Sequence, residues 1–381
     1  MNVGIIGVGR LGLAYALLFE KAGFNVFASS YKQEYVTNLQ NKITDSVEPG
    51  IDDLLKNSSS IQFTTDNEDV IKHCDIIYVM VATPSNAAGD YDVSAVESVV
   101  NDFISYQDSV DNKILVIGST VNPGTCNRLQ ESLSHRGVKV VYCPTFSAQG
   151  SVLNDIKNPH TLSLGTTDQS AADRCKSVFS KLVESETPIY VVDPTTAEIL
   201  KLAGNCRATM EISFANMIGQ ILVKNGLEHD IETASRYLSF IKLRTRWKYG
   251  FGYGGPCYPR DNRSFVHYTQ KIGMDYPLGR LIDEFNESHV EFLTNYFVED
   301  NAERLPFYFE YVSYKKGVAI FEESHQLKVC KKLLDLGFDV YIELTEFLMP
   351  VIISELSNKY ESRVQFVRPG DLECAVYKIN I

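Results

Sequence analysis

Three glycines, Gly7, Gly9 and Gly12, follow the apolar run VGIIGV at 3–8, and they open a segment whose apolar residues Leu13, Leu17 and Leu18 keep helical spacing. A strand that ends in a glycine turn and re-enters as a helix leaves few folds open. Small residues there let backbone amides, Arg10 and Leu11 among them, approach a pyrophosphate at the positive end of the helix. Glycine-rich turns are common, and it is the place after the first strand that turns this one into a dinucleotide signal.

Gly23 ends the helix, and NVFASS at 25–30 reads as a second strand. Further apolar runs at 75–82, 113–119 and 138–144 alternate with helix-like segments. This alternation predicts a parallel sheet covered on both faces, a doubly wound Rossmann domain in an α/β chain. The end of the second strand in such a domain usually carries an acid for the ribose 2′-hydroxyl, but here it reads Ala28-Ser29-Ser30-Tyr31-Lys32. Ser30 and Lys32 suit a 2′-phosphate, so the turn predicts NAD and leaves NADP open.

The net charge of -12 argues against nucleic-acid binding, which needs a clustered basic face. No run reaches the ~18 apolar residues of a membrane span, and the start runs straight into a strand, so no membrane association and a cytoplasmic location are expected. The eight cysteines have no CxxC and no metal-ligand spacing, so no metal is expected.

From Thr195 to Lys224 the chain holds about eight helical turns without an internal proline, behind Asp193-Pro194, a pair suited to a helix start. Lys201 and Asn205 lie four apart on this predicted long central helix and therefore project from one face. Residues 250–261, GFGYGGPCYPRD, place Cys257 at the end of a flexible glycine-rich loop and four residues before Asp261. FYFEYVSY and DVYIEL read as strands flanking a helix at 325–336, a smaller carboxy-terminal α/β unit.

GFGYGGPCYPRD resembles the cysteine loop of the UDP-glucose/GDP-mannose dehydrogenase family, and AEILKLAGNCRATMEISFANMI its central helix. Other blocks similar to the family's stand in the same order: GVGRLG at 7–12, EPGIDDLL at 48–55, VATPS at 81–85, GDYDVSAVES at 89–98 and STVNPGT at 119–125. The match covers residues 1 to about 290. The resemblance implies oxidation of a sugar C6 alcohol through an aldehyde and a cysteine thioester to a uronic acid of the kind used in polysaccharide biosynthesis. Cys257 is then the nucleophile, Lys201 and Asn205 stabilise the C6 oxygen, Asp261 orients water or relays a proton, and Thr120 holds that water. Thr83, Pro84, Ser119 and Thr120 fall in cofactor blocks. Thr145, Phe146, Gln149, Lys248, Gly254 and Lys315 fall at positions that hold the nucleotide sugar.

The chain departs from the family where Pro-Glu-Phe-Leu-x-Glu-Gly becomes Pro144-Thr145-Phe146-Ser147-Ala148-Gln149-Gly150. Neither threonine nor an amide accepts a proton near pH 7, so for thioester hydrolysis three readings stand: Asp261 takes over as base, the thioester is released slowly or to another nucleophile, or the enzyme stops at the aldehyde. Glu322 stands at an arginine position of the family, which leaves the substrate open. The alternatives are an enzyme that stops at aldehyde or thioester, a two-electron dehydrogenase of the 6-phosphogluconate or hydroxyacid type, and a lapsed nucleotide-sugar-binding protein. The expected division is an NAD(P)-binding Rossmann domain at 1–195, a helical and dimerising middle with the cysteine loop at 196–298, and a reduced nucleotide-sugar-binding domain at 299–381, in a homodimer.

Overall fold

The computed structural model describes residues 1–184, 186–240, 249–271, 277–344, 352, 356, 359–360, 362–372 and 374–379. They form two compact units, Met1–Lys201 and Leu202–Ile381.

The first unit alternates strand and helix: β1 (Asn2–Ile6), α1 (Arg10–Lys21), β2 (Asn25–Ser29), α2 (Gln33–Gln40), α3 (Ile51–Asn57), β3 (Gln62–Thr64), α4 (Asn67–His73), β4 (Ile76–Val79), α5 (Ser94–Ser105), β5 (Ile114–Ile117), α6 (Thr125–Leu133), β6 (Lys139–Tyr142), α7 (Val152–Lys157), β7 (Leu162–Gly165), α8 (Gln169–Leu182) and β8 (Ile189–Val192). The sheet order is β3-β2-β1-β4-β5-β6-β7-β8. Strand direction is parallel from β3 to β6; β7 joins β6 antiparallel through Tyr142 and Gly165, and β8 runs parallel to β7. Because strand side chains alternate, the apolar strands feed two cores: Ile5, Tyr78 and Val116 in one, Ile6, Ile77 and Leu115 in the other. The chain order reverses direction between β1 and β4, so the loops after those strands frame the crevice in which a sheet of this kind takes its ligand.

α9 (Pro194–Lys224) is the long helix, with proline at its first position, where the missing N–H costs nothing, and Asp193 Oδ1 accepting from Thr195 N at 2.8 Å. Gly226, at φ 68°, follows its end. The second unit continues with α10 (Ile231–Phe240), α11 (Tyr258–Lys271), α12 (Pro277–Asp300), β9 (Phe307–Phe309), α13 (His325–Asp335), β10 (Val340–Glu343), β11 (Val364–Val367) and β12 (Tyr377–Lys378). Its strands make one parallel sheet, β11-β10-β9-β12. Val290, Leu293 and Phe297 of α12 and Val329, Cys330 and Leu333 of α13 share a core with the sheet residues Phe307, Phe309, Val340 and Ile342.

Candidate functional site

In the first unit each glycine of the opening turn has its own task. A Cβ on Gly7, whose φ is 97°, would meet the Met80 carbonyl carbon at 2.7 Å. One on Gly12 would collide with the Gly7 carbonyl oxygen, so this glycine sets how closely α1 approaches β1. A Cβ on Gly9 would meet nothing within 4 Å; its backbone borders open space at the start of α1. The amides of Arg10, Leu11 and Gly12 are first-turn donors, which a helix leaves without intrahelical acceptors. Tight turn, open approach and close helix packing are the three demands of a pyrophosphate cradle, and these residues fit a dinucleotide.

Around the cradle, Thr83 Oγ1 donates to Thr120 O at 2.7 Å and Ser119 Oγ donates to Val81 O at 2.7 Å. These bonds tie the loops after β4 and β5 together, with Thr83 and Ser119 buried and Pro84 exposed. Ser30 follows β2 directly, and Lys32, also exposed, precedes α2 with its ammonium 5.6 Å from the Tyr31 ring. Thr145, Phe146 and Gln149 occupy the loop after β6. Gln149 Oε1 accepts from Arg10 Nη1 at 3.4 Å, and Lys201 Nζ lies 4.5 Å from the centre of the Phe146 ring.

Two carboxylates that composition and motif reading left without a task anchor this region. Glu48 accepts from the Gly150 and Val152 amides at 2.7 Å each, which staples the 145–150 loop where it enters α7. Glu198, buried on α9, accepts from Gly124 N at 2.5 Å and Cys126 N at 2.7 Å at the start of α6, just past Thr120. Burial raises its pKa, against the pull of those hydrogen bonds. Glu48 lies inside EPGIDDLL and Glu198 inside AEILKLAGNCRATMEISFANMI, so the sequence placed both in family-like blocks, but their partners are distant in sequence.

In the second unit, Asn205 Nδ2 donates to Asp261 Oδ2, and Arg260 donates to Asp261 Oδ1 from Nε at 3.3 Å and Nη2 at 3.2 Å. Asp261 is 1% exposed. Its amide donates to Cys257 O at 2.8 Å, so Cys257 stands just ahead of α11, where the positive helix end favours negative charge. Cys257 and Cys374 are the exposed cysteines; the other six are buried. Burial pushes the thiols of Cys74, Cys175 and Cys206 up to about 12, which makes them inert near neutrality.

The glycine-rich approach to Cys257 is tightly packed, where its composition had pointed to flexibility. A Cβ on Gly252 would strike Asn286 Oδ1 and come within 2.5 Å of His325 Cδ2. One on Gly254 would strike Glu323 O, and one on Gly255, at φ 82°, would sit 2.7 Å from the Tyr314 ring. Gly255 N donates to Glu322 O at 3.0 Å. These residues are glycine because other backbone and side chains occupy the space. Neighbouring charges are paired: Arg263 bridges Asp283 at 2.9 Å and Glu323 at 2.8 Å, and Lys328 reaches Glu323 at 2.7 Å. Lys315 is half-buried beyond β9. Lys248 lies outside the described residues.

Against this geometry, comparison with known proteins is decisive. The profile of the UDP-glucose/GDP-mannose dehydrogenase family NAD binding domain matches residues 1–183, and that of the family's central domain matches residues 195–288. The chain belongs to the UDP-glucose/GDP-mannose dehydrogenase family. It is accordingly an NAD-dependent nucleotide-sugar dehydrogenase acting on a CH–OH group. Members similar to it include a putative UDP-glucose 6-dehydrogenase of Bacillus subtilis, 23% identical over 97% of this chain and 88% of that one. A GDP-mannose 6-dehydrogenase of Pseudomonas syringae pv. syringae is 26% identical over 90% of this chain and 80% of its own length. Among solved structures, a UDP-glucose dehydrogenase from Pyrobaculum islandicum superposes with a TM-score of 0.81 at 22% identity, covering 96% of this chain and 86% of the other; it supports the fold. Among the described residues no helix is long and apolar enough to cross a membrane.

Proposed function

We propose that this family member oxidises the C6 alcohol of a nucleotide sugar by way of an aldehyde and a Cys257 thioester. The observation that carries the reading is the exposed Cys257 at the head of α11, backed by Asp261, while six other thiols are buried. Bound NAD supplies the hydride acceptor for each oxidation, held at the Gly7-Gly9-Gly12 turn with Thr83, Pro84, Ser119 and Thr120 beside it.

Lys201 offsets negative charge on the C6 oxygen as its proton passes to a water that Thr120 holds, and Asn205 donates a hydrogen bond to that oxygen with its amide orientation set by Asp261. The Cys257 thiolate adds to the aldehyde carbon to give a thiohemiacetal, and loss of a hydride from that carbon gives the thioester. Thr145, Phe146, Gln149, Gly254, Lys248 and Lys315 hold the sugar and its diphosphate.

One observation favours a slow last step. Both Asp261 oxygens already accept hydrogen bonds, Oδ2 from Asn205 and Oδ1 from Arg260, and Thr145 and Gln149 offer no base. Asp261 is therefore better suited to orienting Asn205 than to activating water, and the thioester outlives its formation. Incubation with UDP-, GDP- and other nucleotide sugars tests both parts. Two NADH per sugar, with the second turnover limited by acid release and accelerated by hydroxylamine, is the expected result. One NADH per sugar, or unchanged turnover in Cys257→Ser, excludes the scheme.

The division into 1–195, 196–298 and 299–381 belongs to the same proposal, as does a homodimer built on the middle helices. The dimer is supported by Tyr237 and Phe240 of α10, 70% and 82% exposed, and by Leu281 of α12, 51% exposed. A monomer mass in solution would remove the dimer.

A further inference from the structure

The cysteine loop rests on two histidines for which the chemistry above has no task. His289 of α12 and His325, the first residue of α13, are 0% and 1% exposed, with ring centres 5.3 Å apart. His289 Nε2 lies 2.8 Å from Gly250 O, and its Nδ1 lies 2.6 Å from Gln220 Nε2. A carbonyl oxygen only accepts and an amide nitrogen only donates, so Nε2 carries the proton and Nδ1 is bare. A single neutral tautomer satisfies both neighbours.

His325 Nε2 donates to Asn286 O at 3.0 Å, and its Nδ1 is buried with no hydrogen-bond partner among the described residues. Asn286 in turn holds Tyr253 twice, accepting from its amide and donating to its carbonyl, each at 3.0 Å. Gly252, between the two held residues, leaves no room for a Cβ against Asn286 and His325. Gly250 and Tyr253 are thus fixed within the seven residues that precede Cys257.

We propose that His289 and His325 are positioning residues for Cys257: as a neutral pair they hold Gly250 and, through Asn286, Tyr253, and so fix where the thiol at the end of the loop stands. The proposal rests on the reading of Cys257 as the nucleophile. Neutrality matters because a second proton on His289 would aim a donor at the Gln220 amide, and on His325 it would create a buried cation with no paired carboxylate among the described residues. Tyr249, Phe285 and Phe292 surround His289. Phe251 faces His325, and Lys328, the cation that acts on it, is tied to Glu287 and Glu323. Burial lowers His289 to about 4 and His325 to about 3, so both rings stay neutral near pH 7.

His289→Phe keeps a ring between Phe285 and Phe292 and removes both hydrogen bonds; His289→Gln keeps one donor and one acceptor. The expected result is kcat about 10- to 100-fold lower in the phenylalanine variant, with slower alkylation of Cys257 by iodoacetamide, unchanged KM for NAD, and rescue to within about threefold by glutamine. Equal loss in both variants, or wild-type kcat in His289→Phe, overturns the proposal. If His289→Phe does not fold, exchange of the imidazole C2 hydrogens in the wild-type protein, read by mass spectrometry across pH, decides. Neutral rings at pH 6 are expected at both positions, and an imidazolium at either one overturns the proposal. Cys257→Ser is the separate control, since retained turnover there removes the nucleophile reading whatever the histidine variants do.

Discussion

Gly252 illustrates what a single residue carries here. Its missing Cβ is the space into which Asn286 Oδ1 and the His325 ring fit. Gly252→Ala forces those groups to move, and overpacking of this kind costs about 1–3 kcal/mol. Urea unfolding should report a loss of that size, together with slower Cys257 alkylation; an alanine variant as stable and as reactive as wild type would show that the loop yields. The sequence made this glycine visible but not its reason, because a glycine required by a neighbour 34 or 73 positions away looks the same as one required for flexibility. Gly7, Gly9 and Gly12 were readable because their demands are local: the turn, the strand before it and the helix after it are contiguous in sequence. Cys257 and Asp261 were readable as a motif. That both Asp261 oxygens are engaged by Asn205 and Arg260 was not, since it depends on how α9 and α11 pack.

At the scale of elements, α9 was nearly complete in the sequence. Pro194 starts it and Gly226 follows it, and between them no residue interrupts the helix. The strands β1, β2, β4, β5 and β6 were also legible as apolar runs between helical segments. The reversal at β7 and β8 was not, because runs such as LSLG and IYVV read the same whichever way the strand points. The partners of Glu198 were likewise not legible locally, as they lie 74 and 72 residues away. Glu198→Ala leaves the Gly124 and Cys126 amides without their acceptor at the start of α6. Unsatisfied buried donors cost about 1–3 kcal/mol each, so chemical denaturation should show a loss in that range or above. The variant should also weaken NAD binding, because Thr120 lies just before α6. Wild-type stability in Glu198→Ala would mean that α6 caps itself by other means.

For the whole molecule, the two buried histidines set an acid limit on stability. Each has a folded pKa below its unfolded value of 6.5, about 4 for His289 and about 3 for His325. Between pH 6.5 and about 4 the unfolded chain binds a proton at each site that the folded chain does not. Stability is therefore fully present above pH 6.5 and falls as pH drops, by roughly 1.4 kcal/mol per pH unit for each histidine. Glu198 works in the opposite sense, since its raised pKa favours the folded state at low pH. Carboxyl groups held below their usual range by hydrogen bonds and cations, Glu20, Glu184 and Glu323 among them, act in the same sense as the histidines, so denaturation midpoints at pH 5 should lie below those at pH 7, and His289→Gln should shrink the gap. Midpoints that do not change between the two pH values would contradict the burial of neutral rings.

The chemistry itself is tested most directly by the mass of the peptide that contains Cys257 after the protein has met NAD and a panel of nucleotide sugars. An adduct corresponding to the sugar acyl group on Cys257, absent without NAD and released by hydroxylamine, is the predicted result. NADH formation with the Cys257 peptide unmodified at every time point, and with Cys257→Ser turning over as fast as wild type, would contradict it.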